Sequence, residues 1–219
     1  MTTECASEVP AFVVLGSWAG GTTVVARILH ALGVQMGDDF FVCNDPRTGV
    51  TFEENSLREI LLDYFDEPLL RPHAPVDARL AEWVVWQRRE ARSRRRVAIA
   101  AKHPILSVLV PRLIKEWSPV RFIRVRRPYA AVMRSLERRR WWPAQAVSFM
   151  YARVNSQLDA DLAGVEHYCI DYDRLCAEPA REIRAMLQGI GLSASETRIG
   201  TAAGCVRTSA RATERPRPS

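Results

Sequence analysis

The sequence predicts a three-layer α/β/α domain around a central parallel sheet, and three observations carry that prediction. Four short apolar runs recur along the chain: Ala11–Leu15, Val97–Ala101, Phe122–Val125 and Tyr168–Ile170. Helical periodicity separates each run from the next, as in successive βαβ units. A glycine-rich turn joins the first run to the first helical pattern, where open parallel sheets build their binding sites. The first helix is marked by Val25, Ile28, Leu29 and Leu32 at i, i+3, i+4 and i+7, with Gly33 as its stop. Ile183, Met186, Leu187 and Ile190 repeat the pattern before Gly191. Between them the spacing predicts helices near Glu53–Phe65, Asp77–Arg95, Ile105–Glu116, Tyr129–Arg140 and Ala144–Leu162. Glu67–Pro75, with three prolines, reads as a loop. A single domain over residues 1–207 is expected, followed by a mobile basic tail over 208–219, rich in Ala, Thr, Ser, Arg and Pro.

The chain has 219 residues and a net charge of +6, and its positive charge is almost all arginine: Lys102 and Lys115 are the only lysines. Such a surplus fits a small polyanion, and arginine grips phosphate bidentately where lysine cannot. The block Arg88–Arg96 holds six arginines and one glutamate with no aromatic residue among them, so it reads as an exposed helix end and not as a nucleic-acid surface. The five cysteines, Cys5, Cys43, Cys169, Cys176 and Cys205, show no CxxC spacing, so neither a zinc site nor a disulfide framework is expected. Cys169, inside an apolar run, is expected to be buried. No apolar run approaches the ~18 residues of a membrane span, and the segment before Pro10 lacks the basic start of a signal peptide. A reducing, cytoplasmic setting is the expectation.

The segment Leu15-Gly16-Ser17-Trp18-Ala19-Gly20-Gly21-Thr22-Thr23 carries the strongest local signal. A loop between strand and helix aims backbone N–H groups at an anion, and Thr22 and Thr23 add hydroxyl donors. Gly16 and Gly21 have the spacing of a nucleotide-triphosphatase P-loop, but Thr22 stands where its lysine belongs, which argues against a kinase or ATPase. A second constellation is Phe122-Ile123-Arg124-Val125-Arg126-Arg127-Pro128 followed by Ser135. An arginine at a strand's carboxyl end and a hydroxyl on the next helix can converge on one phosphate.

These segments resemble the sulfotransferase family, whose first loop reads approximately G-x-x-R/K-S/G-G-T-T/S. Gly16, Gly20, Gly21, Thr22 and Thr23 match it, whereas Ala19 stands in the place of the basic residue. Thr48-Gly49-Val50-Thr51-Phe52-Glu53-Glu54 resembles the G-y-f-E segment of bacterial members, and Tyr172-Asp173-Arg174-Leu175 with Pro179 resembles their Y-E-D-L close. The resemblance runs from about Phe12 to Leu192. It implies a P-loop nucleotide-hydrolase-like fold and a sulfuryl donor, 3′-phosphoadenylyl sulfate, whose product is adenosine 3′,5′-bisphosphate.

By the same resemblance, Ser17, Trp18, Ala19, Gly20, Gly21, Thr22 and Thr23 wrap the donor's 5′ end. Arg126 and Ser135 hold its 3′-phosphate, and Tyr172 contacts the adenine. Arg126 has the family's place relative to Pro128; Arg127 has the family's spacing to Ser135 and is the alternative. The base is Glu53 or His103, with Lys102 as the electrophile and no metal. Arg27 or Arg207 is a second source of the charge missing at Ala19. The alternative for His103 is a loop residue capping the next turn, and for Glu53 a carboxylate at a helix start. Trp18, Trp141 and Trp142 are expected to wall an acceptor pocket, and Trp83, Trp86 and Trp117 to be core. The acceptor implied is a hydroxyl or amine of a glycan, lipid or small natural product, with no nucleic-acid partner and no stable membrane insertion. A non-catalytic nucleotide-binding relative and a P-loop kinase-like phosphotransferase are the alternative functions.

Overall fold

The computed structural model describes residues 9–45, 48–67, 70–139 and 142–214, with side chains as far as Val206. In chain order the elements are β1 (Ala11–Leu15), α1 (Thr22–Ala31), β2 (Phe40–Val42), β3 (Val50–Glu54), α2 (Asn55–Leu62), β4 (Phe65–Asp66) and β5 (Arg71–Pro72). Then come α3 (Arg79–Ser93), β6 (Ile99–Lys102), a 3-10 turn (Pro104–Val108), α4 (Val110–Glu116), β7 (Val120–Arg126), α5 (Tyr129–Arg139) and α6 (Ala144–Asp161). β8 (His167–Asp171), α7 (Tyr172–Ala177), α8 (Pro179–Gly189) and α9 (Glu196–Glu214) complete it.

The four predicted strands form one parallel sheet in the order β6-β1-β7-β8. β1 is all apolar and fully buried because it lies inside the sheet with helices on both faces. Its side chains alternate: Val13 and Leu15 enter a core shared with α2, α3, α4, α5 and α6, while Phe12 and Val14 enter one shared with α1, α8 and α9. These two cores make the three-layer α/β/α architecture.

Several local expectations change. The segment from Glu53 is not helix at its start: Glu53 and Glu54 close β3, and α2 begins at Asn55. β6 begins at Ile99, leaving Val97 exposed. Cys169 is exposed, because β8 is the outer strand and that position lacks a covering layer. Trp86 is 47% exposed on the outer face of α3, whereas Trp83 and Trp117 stack in the core with ring centroids 5.3 Å apart. Arg88, inside the presumed solvated block, is buried; it donates to the carbonyls of Val9 (2.9 Å) and Trp117 (2.6 Å) and so ties down the approaches to β1 and β7. Helix α9 continues to Glu214, past the Thr208 where a tail was expected to start; residues 215–219 lie outside the described residues. No helix among the described residues is long and apolar enough to cross a membrane.

Candidate active site

The carboxyl ends of β1, β6, β7 and β8 open into one cleft. Its floor is the loop after β1. Gly16, at φ 151, donates its N–H to Ser107 Oγ at 3.0 Å, which fastens the loop to the 3-10 turn after β6. The Gly20 N–H bonds to the Ser17 carbonyl at 3.0 Å, with Ala19 at φ 55 inside the turn. Gly21, at φ 97, is the residue before α1. A Cβ there would overlap the Tyr172 ring, so the loop requires glycine on two grounds, backbone angle and close approach. The first turn of α1 then presents N–H groups with no helical acceptor, beside the hydroxyls of Thr22 and Thr23.

Trp18, Ala19, Gly21, Thr22 and Thr23 line the cleft from the loop side. Glu53, Lys102, Ser135 and Tyr172 line it from the other strand ends and from α5. Ser17 is buried beneath the loop and Gly20 shapes it; neither lines the cleft. Arg126 is not with them. It is exposed and faces, with Arg124, a separate groove against α6 and β8. Arg127 is the arginine of the cleft, on the same wall as Ser135. It donates to the Ala19 carbonyl at 2.8 Å and its guanidinium carbon lies 4.6 Å from the centre of the Tyr172 ring. The cause is strand alternation: Arg124 and Arg126 follow Phe122 to the α6 face, while Arg127 follows Val125 to the α1 face. Arg124 is buried and pairs with Asp159 at 2.7 Å.

Two further cations line the cleft. Arg27 on α1 lies over the Phe52 ring at 5.6 Å, and Arg139 at the end of α5 pairs with Asp45 at 3.0 Å. Burial pulls the Arg139 pKa below its ordinary value, against the charge of Asp45. No spacing signal marked Arg139, which ends an arginine-rich helix and looks like its exposed neighbours in sequence. The Arg207 side chain and Trp141 lie outside the described residues. Trp18 and Trp142 meet edge to face with centroids 5.9 Å apart.

Glu53 reaches the cleft through a bulge. β2 and β3 pair at Phe40↔Glu54 and Val42↔Val50, so β3 carries the extra residues. Phe52 absorbs them at φ 58, a rare backbone for a bulky residue. Thr51 Oγ1 braces the bulge, donating to the Phe41 carbonyl at 2.8 Å and accepting from the Glu53 N–H at 3.2 Å. Phe52 turns toward His30 and Phe40, and Glu53 toward Lys102, with which it is hydrogen-bonded and ion-paired. Burial pushes the Glu53 carboxyl up, but the charge and hydrogen bond of Lys102 lead the effects that outweigh it and hold the group below the ordinary carboxylate range.

His103 follows β6 but does not line the cleft and is 1% exposed. Its Nδ1 accepts the Ile105 N–H at 3.2 Å, which leaves the proton of the neutral ring on Nε2. Burial lowers its pKa to about 4. Nε2 has no hydrogen-bond partner and lies 3.8 Å from Glu53 Oε2 and 3.5 Å from Oε1 of Glu67, a carboxyl that no motif had marked. Among the described residues no group of His, Cys, Asp and Glu side chains could hold a metal ion.

No protein-family model matches the sequence, and no curated protein does. Solved structures do. The sulfotransferase domain of the Synechococcus olefin synthase superposes with a TM-score of 0.61 at 16% identity, covering 90% of this chain and 78% of that one. The sulfotransferase domain of the curacin biosynthetic pathway gives 0.56 at 15% identity, over 88% of this chain and 77% of that one. Sulfotransferase STF1 of Mycobacterium tuberculosis gives 0.54 at 15% identity, over 91% and 71%. Sheet order, loop position and these superpositions agree that the chain has the sulfotransferase fold.

Proposed function

We propose that this protein is a sulfotransferase that takes the sulfuryl group of 3′-phosphoadenylyl sulfate to a hydroxyl or amine of a glycan, lipid or small natural product. The observation that carries this reading is the convergence of the glycine loop, the Arg127/Ser135 pair and the Lys102/Glu53 pair on one cleft. The residues fit a nucleotide bearing several phosphates: Arg27, Lys102, Arg127 and Arg139 bring positive charge, and Gly21 brings backbone close to the cleft. The donor, when bound, supplies the sulfuryl group and leaves as the bisphosphate.

The chain's own residues do the rest. The N–H groups opening α1 and the Thr22 and Thr23 hydroxyls grip the 5′ end. Arg127 and Ser135 grip the 3′-phosphate, taking the role assigned to Arg126 by motif position. Glu53 takes the acceptor's proton as general base. His103 does not, because it lies outside the cleft and its Nε2 already carries the ring proton. Lys102 stabilises charge on the leaving oxygen and supplies the positive group that Ala19 lacks. A methyl group at position 19 and a threonine at position 22 leave the loop without a P-loop lysine, which disfavours the kinase-like alternative.

Calorimetric titration tests the reading. Adenosine 3′,5′-bisphosphate is expected to bind, and ATP with Mg²⁺ much more weakly. Equal affinity for adenosine nucleotides with and without the 3′-phosphate would overturn it.

A further inference from the structure

The single N–H of His103 faces two carboxyl groups and is bonded to neither. Its ring is held from behind by the Ile105 N–H, so it cannot turn to satisfy itself elsewhere. Glu53 belongs to the cleft, but Glu67, which follows β4, does not line it. A buried N–H without an acceptor is costly, so it is drawn to whichever carboxylate comes nearer. We propose that Glu67 is a positioning residue for Glu53: its charge state decides whether the His103 Nε2–H is given to Glu53 alone or is shared between two carboxylates.

The consequence follows from ordinary electrostatics. With Glu67 protonated, the N–H serves Glu53, whose carboxylate is then a weaker base. When Glu67 releases its proton, two negative groups face one N–H, and Glu53 holds a captured proton more tightly. The proton leaves from Glu67 itself, which is 20% exposed and has its own route to water. The groups facing Glu67 are Glu53 on β3, Lys102 and His103 at the end of β6, and Arg58 on α2. Burial and the Glu53 charge raise the Glu67 pKa above the ordinary 4.5, against Arg58 and Lys102, so this ionisation falls nearer working pH than that of a free glutamate.

The catalytic consequence rests on Glu53 being the base, but the coupling does not, and the experiment keeps them apart. Proton–nitrogen spectra of the full chain, labelled with nitrogen-15 at histidine, are followed from pH 4.5 to 8. The His103 signals should show the Nε2–H tautomer throughout, with an Nε2 inflection above the ordinary glutamate range. Glu67→Gln should remove that inflection. If that variant fails to fold, Glu67→Asp, which keeps the charge and shortens its reach, should weaken it. An inflection that survives in Glu67→Gln, or a His103 proton found on Nδ1, overturns the proposal. In turnover, Glu67→Gln should lose about threefold in kcat on the alkaline side, the size expected for about one pKa unit in a base with partial proton transfer. It should leave the KM for the donor unchanged and flatten the pH profile. A lost spectral inflection with an unmoved pH profile supports the coupling and sinks the assignment of Glu53 as base.

Discussion

At the scale of single residues, neighbours in sequence have separate fates. Arg126 and Arg127 differ by one position, yet only Arg127 enters the cleft, so the two alanine variants separate them. Arg127→Ala should weaken binding of the bisphosphate by roughly tenfold or more, the loss expected when a charged group loses a hydrogen bond of about 1.5–3 kcal/mol. Arg126→Ala should change it by less than about twofold, as befits a side chain outside the cleft. The measurement is calorimetric, and the reverse order of effects would return the role to Arg126. Glu53→Gln should lower turnover by roughly 10²-fold, the loss expected for a general base, with bisphosphate affinity intact. A variant that keeps full turnover with a true acceptor shows that the base lies elsewhere. The choice between Arg126 and Arg127 was legible in principle. Alternation along Phe122, Arg124 and Arg126 against Ile123, Val125 and Arg127 already divides them. Matching on Pro128 hid that signal, because a motif counts positions and ignores which way a strand's side chains face.

At the scale of elements, signals that are local in sequence were legible and those that depend on distant partners were not. β1, its glycine loop and α1 stand out because an apolar run, a turn and a 3.6-residue period follow one another without a gap. β2, β4 and β5 are too short to show a period, and β3 holds Glu53 only because Phe52 bends the strand, which no propensity foretells. His103 shows both sides of this limit. Its place after β6 was readable, but its burial and its turn away from the cleft depend on Ile105 and on a hairpin that brings up Glu67. The bulge also sorts the two adjacent glutamates. Glu54 caps α2, accepting from the Leu57 N–H at 2.9 Å and the Ser56 hydroxyl at 2.6 Å, and it takes the Trp83 indole N–H at 3.0 Å. Glu54→Ala removes a cap worth about 1 kcal/mol and leaves a buried indole N–H without an acceptor, for a total of roughly 2–4 kcal/mol. Urea denaturation should show that loss as a lower midpoint. Glu53→Gln should lower the midpoint as well, because the buried Lys102 ammonium loses its paired charge.

At the scale of the whole molecule, the buried neutral histidine links stability to pH. The His103 pKa falls from 6.5 in the unfolded chain to about 4 in the fold, so the unfolded state binds the extra proton first. The stability this group contributes is fully present above pH 6.5 and drains away as the pH falls toward 4. Between pH 7 and 5 the loss is roughly 2 kcal/mol. Glu53, held below the ordinary range, acts with the same sign at lower pH, and Glu67, held above it, acts with the opposite sign. Comparing thermal midpoints of the native chain and His103→Asn at pH 7 and pH 5 isolates the histidine. The native chain should lose more on acidification, and equal losses would show that His103 is not buried neutral.

The loop beneath the cleft also sets a schedule for the growing chain. It precedes its partners in sequence: it is held by Ser107, by Arg127 and by the ring of Tyr172, and β1 gains its two strand partners only when β6 and β7 exist. Contacts so far apart in sequence form late, because a long loop must close before any of them is rewarded. A ribosome that has just finished Arg126 has translated every glycine of the loop but neither Arg127 nor Tyr172. On the proposed function, nucleotide should not be retained at that stage. On that function the affinity arrives only with Tyr172 at the start of α7, and a chain cut before it should carry the motif without the binding.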